Sequence, residues 1–144
     1  MTLEQLLNWL QLPVDAIDGR SARFRVDESV DIQLDLTVDG EYLRIRSAVG
    51  HTLDTRPSAV AFDIAVSNYA GATTGGGTLG LNPVNGEVLL FLEVPCALMD
   101  AATLETVLGR FVEAALYWHS RLENPTQSAD TALSDVTPQA WVRA

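Results

Sequence analysis

Two histidines and one cysteine are the side chains of this sequence best suited to chemistry. His51 lies beside a predicted strand and His119 on a predicted helix, and neither has a His, Cys or carboxylate at the spacing of a metal site. Glu123 lies four residues after His119, which is the spacing of an ordinary surface pair on a helix. Cys96 follows Pro95, and nothing near it supplies the base and the positive setting that a nucleophilic thiol needs. We therefore interpret Cys96 as a structural thiol and predict no catalytic or metal site.

Two other patterns resemble a phosphate-binding loop and a catalytic carboxylate pair, but their residues and spacing fit neither. The glycine-rich segment 73–77 lacks the lysine and the strand–loop–helix order of a phosphate-binding loop, so it is predicted to be a flexible connection. Asp31 and Asp35 share one face of a predicted strand, but at about 3.3 Å per residue they lie about 13 Å apart, too far for a catalytic pair. Arg44 and Arg46 on the next strand are expected to pair with them. The protein is therefore predicted not to be an enzyme and to use no cofactor.

Composition and charge narrow the class of protein. The 144 residues suffice for one domain, and 47% of them are hydrophobic, which is typical of a folded globular chain. The chain has 19 acidic residues and 9 basic residues, all of them Arg, which give a net charge of −10. That charge argues against nucleic acid as a partner. It fits either simple solubility or the attraction of a basic partner segment.

The cysteine count and the hydrophobicity pattern predict a soluble, cytoplasmic protein. A single cysteine cannot form an intramolecular disulfide, which fits a reducing compartment. Residues 1–13 include Glu4 and have no basic start, so they do not resemble a signal peptide. No apolar run reaches the roughly 18 residues of a membrane span, so no membrane insertion is expected.

The N-terminal residues predict a short amphipathic helix. Thr2 can cap it, and Gln5 stands three residues later, as a capping box requires. Pro13 ends it. Trp9 lies beside the apolar stripe, which is formed by Leu3, Leu6, Leu7 and Leu10. Such a short helix needs a surface on which to pack.

A meander of three antiparallel strands is predicted next. Residues 21–26 and 30–38 alternate apolar and polar side chains, with Val38 on the apolar face, and 41–49 continue the pattern. Asp39-Gly40 predicts a two-residue type I′ hairpin turn between the second and third strands. One face of this sheet is expected to be buried and the other to be wet.

The second half of the chain predicts a helix, a strand pair and a long helix. Residues 58–70 carry β-branched side chains that suit a strand, but their length, the preceding Pro57 and the following Gly71 favour a helix. Strands are predicted over 78–81 and 87–94, around a turn rich in Pro, Asn and Gly. The second of these strands is apolar on both faces, so we expect each face to be covered by the core of the chain or by another subunit.

Asp100 is predicted to cap the last helix, whose apolar stripe ends beyond Trp118. From Pro125 onward the residues are mostly polar and small. The predicted order is α-β-β-β-α-β-β-α, and the fold class is α+β with a mainly antiparallel sheet covered by helices. We expect one domain over residues 1–123 and a flexible C-terminal tail over 124–144.

The C-terminal half combines a glycine-rich loop, a strand pair around a turn that begins at Asn82-Pro83, and a final helix that begins at Met99-Asp100. The residues of this pattern are Gly75-Gly76-Gly77-Thr78-Leu79-Gly80-Leu81-Asn82-Pro83, Asn85-Gly86-Glu87-Val88-Leu89-Leu90, Val94-Pro95, Met99-Asp100, Leu104, Leu108, Phe111, Ala115 and Trp118. The pattern resembles that of the class I type III secretion chaperones of the Tir-chaperone superfamily, whose members commonly show a glycine-rich loop, an LGL(N/D)P turn and an (L/M)D pair in this order. The N-terminal helix, the meander, the size and the acidic charge agree with the family.

The resemblance implies a cytoplasmic homodimer that binds an extended N-terminal segment of a secreted effector and delivers it to the export apparatus without a cofactor. It places the dimer interface at Val60, Ile64, Ser67, Asn68, Tyr69, Leu89 and Phe91. It places the effector at Leu6, Trp9, Leu10, Ile32, Leu34 and Leu43. For each residue the alternative is an ordinary place in the core. The alternative function is a regulatory or binding module of the same fold that tethers a folded partner.

Overall fold

The protein, as a computed structural model, is described over residues 1–52 and 57–124. The helices are α1 (Leu3–Leu10), α2 (Pro57–Ala70) and α3 (Ala101–Glu123), and a 3-10 turn covers Cys96–Leu98. The strands are β1 (Asp15–Ala16), β2 (Ser21–Val26), β3 (Val30–Leu36), β4 (Tyr42–His51), β5 (Thr78–Leu81) and β6 (Glu87–Pro95). The predicted α+β class and the order of its elements are confirmed. The predicted tail lies outside the described residues from position 125 onward.

One antiparallel sheet organises the molecule, with strand order β1-β2-β3-β4-β6-β5. The meander of β2, β3 and β4 forms as predicted, and β6 pairs with β4 along nearly its whole length. β1 was not predicted, because two residues are too few to show an alternating pattern. It pairs with only Arg23 and Ala22 of β2.

Only the second of the two hairpin turns of the meander differs from the prediction. The predicted type I′ turn at Asp39-Gly40 is wrong, because Gly40 has a φ of +70° while Asp39 is not in the positive-φ region. Thr37 N donates to Tyr42 O at 3.0 Å, so the loop has four residues, and Val38 at its tip is 87% exposed and not on the apolar face. Positive φ at both central residues, the pattern of a type I′ turn, occurs instead at Asp27 and Glu28.

The core lies on one face of the sheet, under α1 and α3. The burial of β3 alternates strictly along the strand, as its sequence predicts. Leu6 of α1 and Phe111 and Trp118 of α3 are almost fully buried against it. Asp100 caps α3 as predicted, since its carboxylate accepts from Thr103 N at 2.7 Å.

The glycine-rich loop between α2 and β5 is packed against α3 and is not a free connection. Trp118 Nε1 donates to Thr73 O at 3.1 Å, and Thr74 is fully buried. Gly75 has a φ of +59°, and a Cβ there would collide with the backbone of Arg110. The glycine is therefore required by the close approach of loop and helix, and not by flexibility.

Two polar contacts attach α2 to the rest of the chain. The Asn68 side-chain amide donates to Leu79 O at 2.9 Å and accepts from Leu79 N at 2.8 Å, so it occupies the outer edge of β5 as a neighbouring strand would. Arg121 of α3 forms an ion pair with Asp63 at 3.0 Å. Ile64 is the α2 residue that enters the hydrophobic core, with 7% of its surface exposed.

Candidate partner-binding surfaces

A groove of about 610 Å³ runs between the end of α1, the end of β2 and the first half of α3. We call it the α1–α3 groove. Its apolar lining includes Trp9, Leu10, Leu12, Val26, Leu108 and Val112. Asp27 and Glu105 also line it, together with Arg25, whose charge is paired with that of Asp31. The groove therefore combines an apolar surface with negative charge, which suits an apolar segment that carries basic residues.

The capping box of α1 fixes one wall of the groove. Gln5 N donates to Thr2 Oγ1 at 3.2 Å, and Thr2 N donates to Gln5 Oε1 at 3.0 Å. The helix ends where Gln11 adopts a left-handed conformation with φ of +48°. Trp9 and Leu10 are then only partly buried at its last turn. The helix is anchored at its start and presents an apolar end to the groove.

The open edge of β2 forms the second wall. β1 covers β2 only at Ala22 and Arg23, so the described structure has no strand beside Arg25. Ser21 O accepts from Ile17 N, which shows that Ser21 directs its backbone groups away from β3. Alternate residues of a strand direct these groups to the same side, so the N–H and C=O of Arg25 also point to the open edge. This edge can accept another strand.

The side chain of Arg25 is held on the sheet surface beside this edge. Its Nε lies 2.7 Å from Asp31 Oδ1 and its second guanidinium bond to Asp31 is 3.0 Å long. The hydrogen bond from Arg25 lowers the pKa of Asp31, and the Asp31 carboxylate raises the pKa of Arg25. Both groups therefore stay charged at neutral pH. The side chain of Arg25 lies across the sheet face, so it leaves the backbone groups at the edge of β2 open.

The six residues predicted to bind an effector fall into two groups. Trp9 and Leu10 line the α1–α3 groove. The other four have no exposed surface and lie in the core of the chain: Leu6, Ile32, Leu34 and Leu43. Sequence reasoning missed the contributions of Val26 and Val112, because the end of a strand and the border of a helical stripe look like ordinary core positions.

The residues predicted to form a dimer interface also differ in how exposed they are. Ile64 belongs to the core and Val60 is half-buried. The side-chain amide of Asn68 is already hydrogen-bonded to the backbone of Leu79. Tyr69 is 94% exposed, and α2 also exposes two residues that were not predicted, Phe62 and Val66. Ser67, Leu89 and Phe91 are half-buried in the single chain. We call Phe62, Val66 and Tyr69 the exposed α2 surface.

The sheet face opposite the core is apolar at one end and charged at the other. Leu89 and Phe91 of β6 lie on it, in register with Ala48 and Arg46 of β4. The predicted pair of Arg46 with Asp35 is confirmed at 3.0 Å. The expected pairing of Arg44 with these aspartates is wrong, because Arg44 bonds to Glu93 at 2.7 Å. Such exposed pairs contribute little stability, and they keep this part of the face wet.

Of the three side chains best suited to chemistry, His119 is engaged and Cys96 is buried, while His51 is exposed at the end of β4. His119 Nδ1 lies 3.1 Å from Val49 O, and its Nε2 lies 3.3 Å from Glu123. Burial raises the pKa of the Cys96 thiol, which makes it a poorer nucleophile. Among residues 1–52 and 57–124, no three His, Cys, Asp or Glu side chains are placed to hold a metal ion. None of the described helices is long and apolar enough to cross a membrane.

Comparisons with known proteins found similar solved structures and one matching sequence family. No curated protein matches the sequence significantly. The chain is similar in structure to one in the ExsC–ExsE complex, with a TM-score of 0.65 and 21% identity over 83% of this chain and 90% of that one. It is also similar to one in the HopA1–SchA chaperone–effector complex, with a TM-score of 0.63 and 15% identity over 82% and 90% of the two chains.

A third similar structure is the Yersinia pestis type III secretion chaperone SycH in complex with a fragment of YscM2. The TM-score is 0.59 and the identity is 18%, over 81% of this chain and 95% of that one. At such identities the likeness shows the fold. A sequence model of the Tir chaperone protein family, also called CesT, matches residues 2–119, which is most of the chain. The chain therefore belongs to the Tir chaperone protein (CesT) family.

Proposed function

We propose that this protein is a type III secretion chaperone that binds an extended N-terminal segment of a secreted effector in the cytoplasm and keeps it soluble and export-competent. The observation that carries the proposal is the α1–α3 groove, where an open strand edge at Arg25 borders an apolar surface. An extended segment can bond to the backbone of such an edge and bury alternate side chains beside it.

The energetics of the groove fit a client that must later be released. A disordered segment that becomes ordered on binding gives up roughly 2–5 kcal/mol of the gross interaction free energy. The binding is therefore weaker than the buried area alone would give, and the export machinery can remove the segment more easily. The carboxylates of Asp27 and Glu105 favour a client segment that carries Arg or Lys near its apolar residues.

The similar structures support a partner of this kind. One contains a chaperone with its effector, HopA1–SchA, and another contains the secretion chaperone SycH with a fragment of YscM2. The charge of −10 is compatible with a protein that binds a basic segment.

The proposal includes a homodimer, formed through the exposed α2 surface together with Leu89 and Phe91 of β6. Phe62 and Val66 are 50% and 43% exposed, and Tyr69 is 94% exposed. An exposed apolar group of this size on one helix is typical of a surface that another chain covers.

Co-purification tests the function. The full chain is expressed with the protein encoded beside its gene, and we expect it to retain that protein through the partner's N-terminal segment. Leu12→Asp is expected to abolish retention, because Leu12 is 50% exposed and lines the groove. Val84→Asp is the matched control, since Val84 is 90% exposed in the β5–β6 turn. Equal retention by both variants contradicts the groove assignment.

A deletion in the partner distinguishes the chaperone function from the alternative, a module that tethers a folded partner. If the partner loses its N-terminal segment and still binds, the protein is a module that tethers a folded partner. If binding disappears and the isolated segment restores it, the chaperone function is supported. A protein that retains no secreted partner under either condition contradicts the proposal.

A further inference from the structure

Gly109 of α3 is a glycine whose place in the fold does not require glycine. It lies in the interior of a 23-residue helix. A Cβ built on it meets no atom within 4 Å. Its φ is not in the positive region, since the glycines there are Gly40, Gly71, Gly75, Gly76 and Gly86. Alanine could therefore adopt this backbone without a clash.

Several other glycines of the described chain have a visible structural reason, although Gly19 and Gly80 share the open surroundings of Gly109 without lining the groove. A Cβ on Gly50 would lie 2.9 Å from the side chain of Leu122, and one on Gly77 would lie 2.7 Å from Phe91 O. Gly109 has no such neighbour, yet glycine in a helix interior makes the helix less stable than alanine would. The helix is therefore less stable than it would be with alanine, and packing within the chain does not explain the choice.

Gly109 lies on the wall of the α1–α3 groove. On α3 it is flanked there by Glu105, Leu108 and Val112, and Leu10 of α1 lines the same groove. A side chain at position 109 would project into open space at this wall. The missing side chain widens the groove between two helices at the point where a bound segment would pass.

We propose that Gly109 determines the size of the client side chain that the α1–α3 groove accepts. The lack of a side chain leaves room for one large apolar residue, of the size of leucine or phenylalanine, from an extended segment bound along β2. Leu108 and Val112 supply the apolar contacts around that residue. The proposal rests on the proposed function, because it concerns the same groove.

The test measures side-chain preference with synthetic peptides on the full chain. Each peptide alternates apolar residues with threonine, carries arginine at both ends to suit Asp27 and Glu105, and has alanine or phenylalanine at its central position. Fluorescence anisotropy reports the affinity. The wild type is expected to prefer the phenylalanine peptide by about ten-fold, because burying the ring removes more apolar area from water. Gly109→Leu is expected to lose this preference and to keep its affinity for the alanine peptide.

Two further variants exclude a purely structural role. Gly109→Ala is expected to raise Tm by about 2–5 °C, because alanine favours the helix, and to weaken binding of the phenylalanine peptide. A gain in stability with a loss of affinity cannot come from damage to the fold. Ser120→Leu, on the exposed side of the same helix and outside the groove, is the control that should change neither affinity.

The outcomes distinguish this inference from the proposed function. If Gly109→Leu binds the phenylalanine peptide as tightly as the wild type does, the inference is wrong and the chaperone function stands. If the wild type binds none of the peptides, the groove assignment fails and the inference fails with it. Loss of the preference in Gly109→Leu, with the affinity for the alanine peptide kept, supports both.

Discussion

At the scale of single residues, one amide protects the end of the sheet. β5 is an edge strand, and unpaired edges promote association with other strands. The Asn68 side chain both donates to Leu79 O and accepts from Leu79 N, so it completes the backbone bonding of that residue. At the opposite edge, beside Arg25, no described side chain or strand plays the same part. The chain thus closes one edge and leaves the other available.

Replacement of Asn68 by alanine tests this difference. We expect Asn68→Ala to lower the free energy of unfolding by about 1 kcal/mol, because two hydrogen bonds are lost and water can replace them. Hydrogen exchange of the Leu79 amide should become faster, while that of buried Leu90 on β6 should change only with global stability. An unchanged exchange rate at Leu79 contradicts the protective role.

At the scale of elements, α2 is attached to the domain by few contacts. Its residue Asp63 is paired with Arg121, whose guanidinium also bonds to the hydroxyl of Tyr117 and lies 5.8 Å from the Trp118 ring. The side chains of Arg121 and Asp63 are only 20% and 13% exposed, so solvent screens the pair weakly. We therefore expect this ion pair to stabilise the packing of α2 more than each exposed ion pair on the opposite sheet face stabilises the sheet.

Removal of the guanidinium should loosen α2. We expect Arg121→Met to lower the free energy of unfolding by about 2 kcal/mol, because the Asp63 carboxylate loses its partner in a partly buried place. The double variant Arg121→Met with Asp63→Asn should recover part of that loss. Urea unfolding of the two single variants and the double variant measures the coupling. Strict additivity contradicts a direct interaction.

The exposed α2 surface is where the dimer is predicted. We expect Val66→Asp to give a folded monomer, because an interface would have to bury the new charge without a partner. Val66 suits this test better than Ile64, since Ile64 is 7% exposed and an acidic residue there would damage the core itself. Light scattering and circular dichroism measure mass and fold. Val84→Asp is the control, and an unchanged dimer with Val66→Asp contradicts the interface.

At the scale of the whole molecule, several folded-state aspartates favour neutral pH. A backbone N–H of Arg20 lowers the pKa of Asp18, the Arg25 side chain lowers that of Asp31, and hydrogen bonds with Thr103 lower that of Asp100. In each case the folded state binds protons less readily than the unfolded chain, whose aspartates titrate near pH 4. These aspartates therefore stabilise the folded state above about pH 4, and this stabilisation is lost as the pH falls through their lower pKa values in the folded state.

We therefore expect Tm to be nearly constant from pH 7 to about pH 5 and to fall below it. Asp100→Asn should reduce the slope, because asparagine keeps the helix cap but does not titrate. Asp100→Ala should lower Tm at every pH by removing the cap. Calorimetry across this range measures both effects. If the wild type and Asp100→Asn lose Tm in parallel, Asp100 does not contribute to the acid sensitivity.

The sequence by itself determined the elements and their faces. Alternation predicted β2 and β3, the capping residues Thr2 and Asp100 predicted the starts of two helices, and the pattern from Gly75 onward indicated the family. These features depend on neighbours a few residues away, so local periodicity contains them. The two-residue β1 escaped prediction because it forms only through its pairing with β2.

Only the tertiary structure decided which apolar residues remain available to a partner. Leu6 and Leu10 look alike in the sequence of α1, but Leu6 is buried against the core and Leu10 lines the groove. Likewise, nothing local shows that Asn68 completes an edge strand or that Gly109 faces open space. The groove is assembled from α1 and β2, within the first 26 residues, and from α3, which begins only at Ala101. Its shape therefore depends on long-range packing, which the pattern of each element alone does not contain.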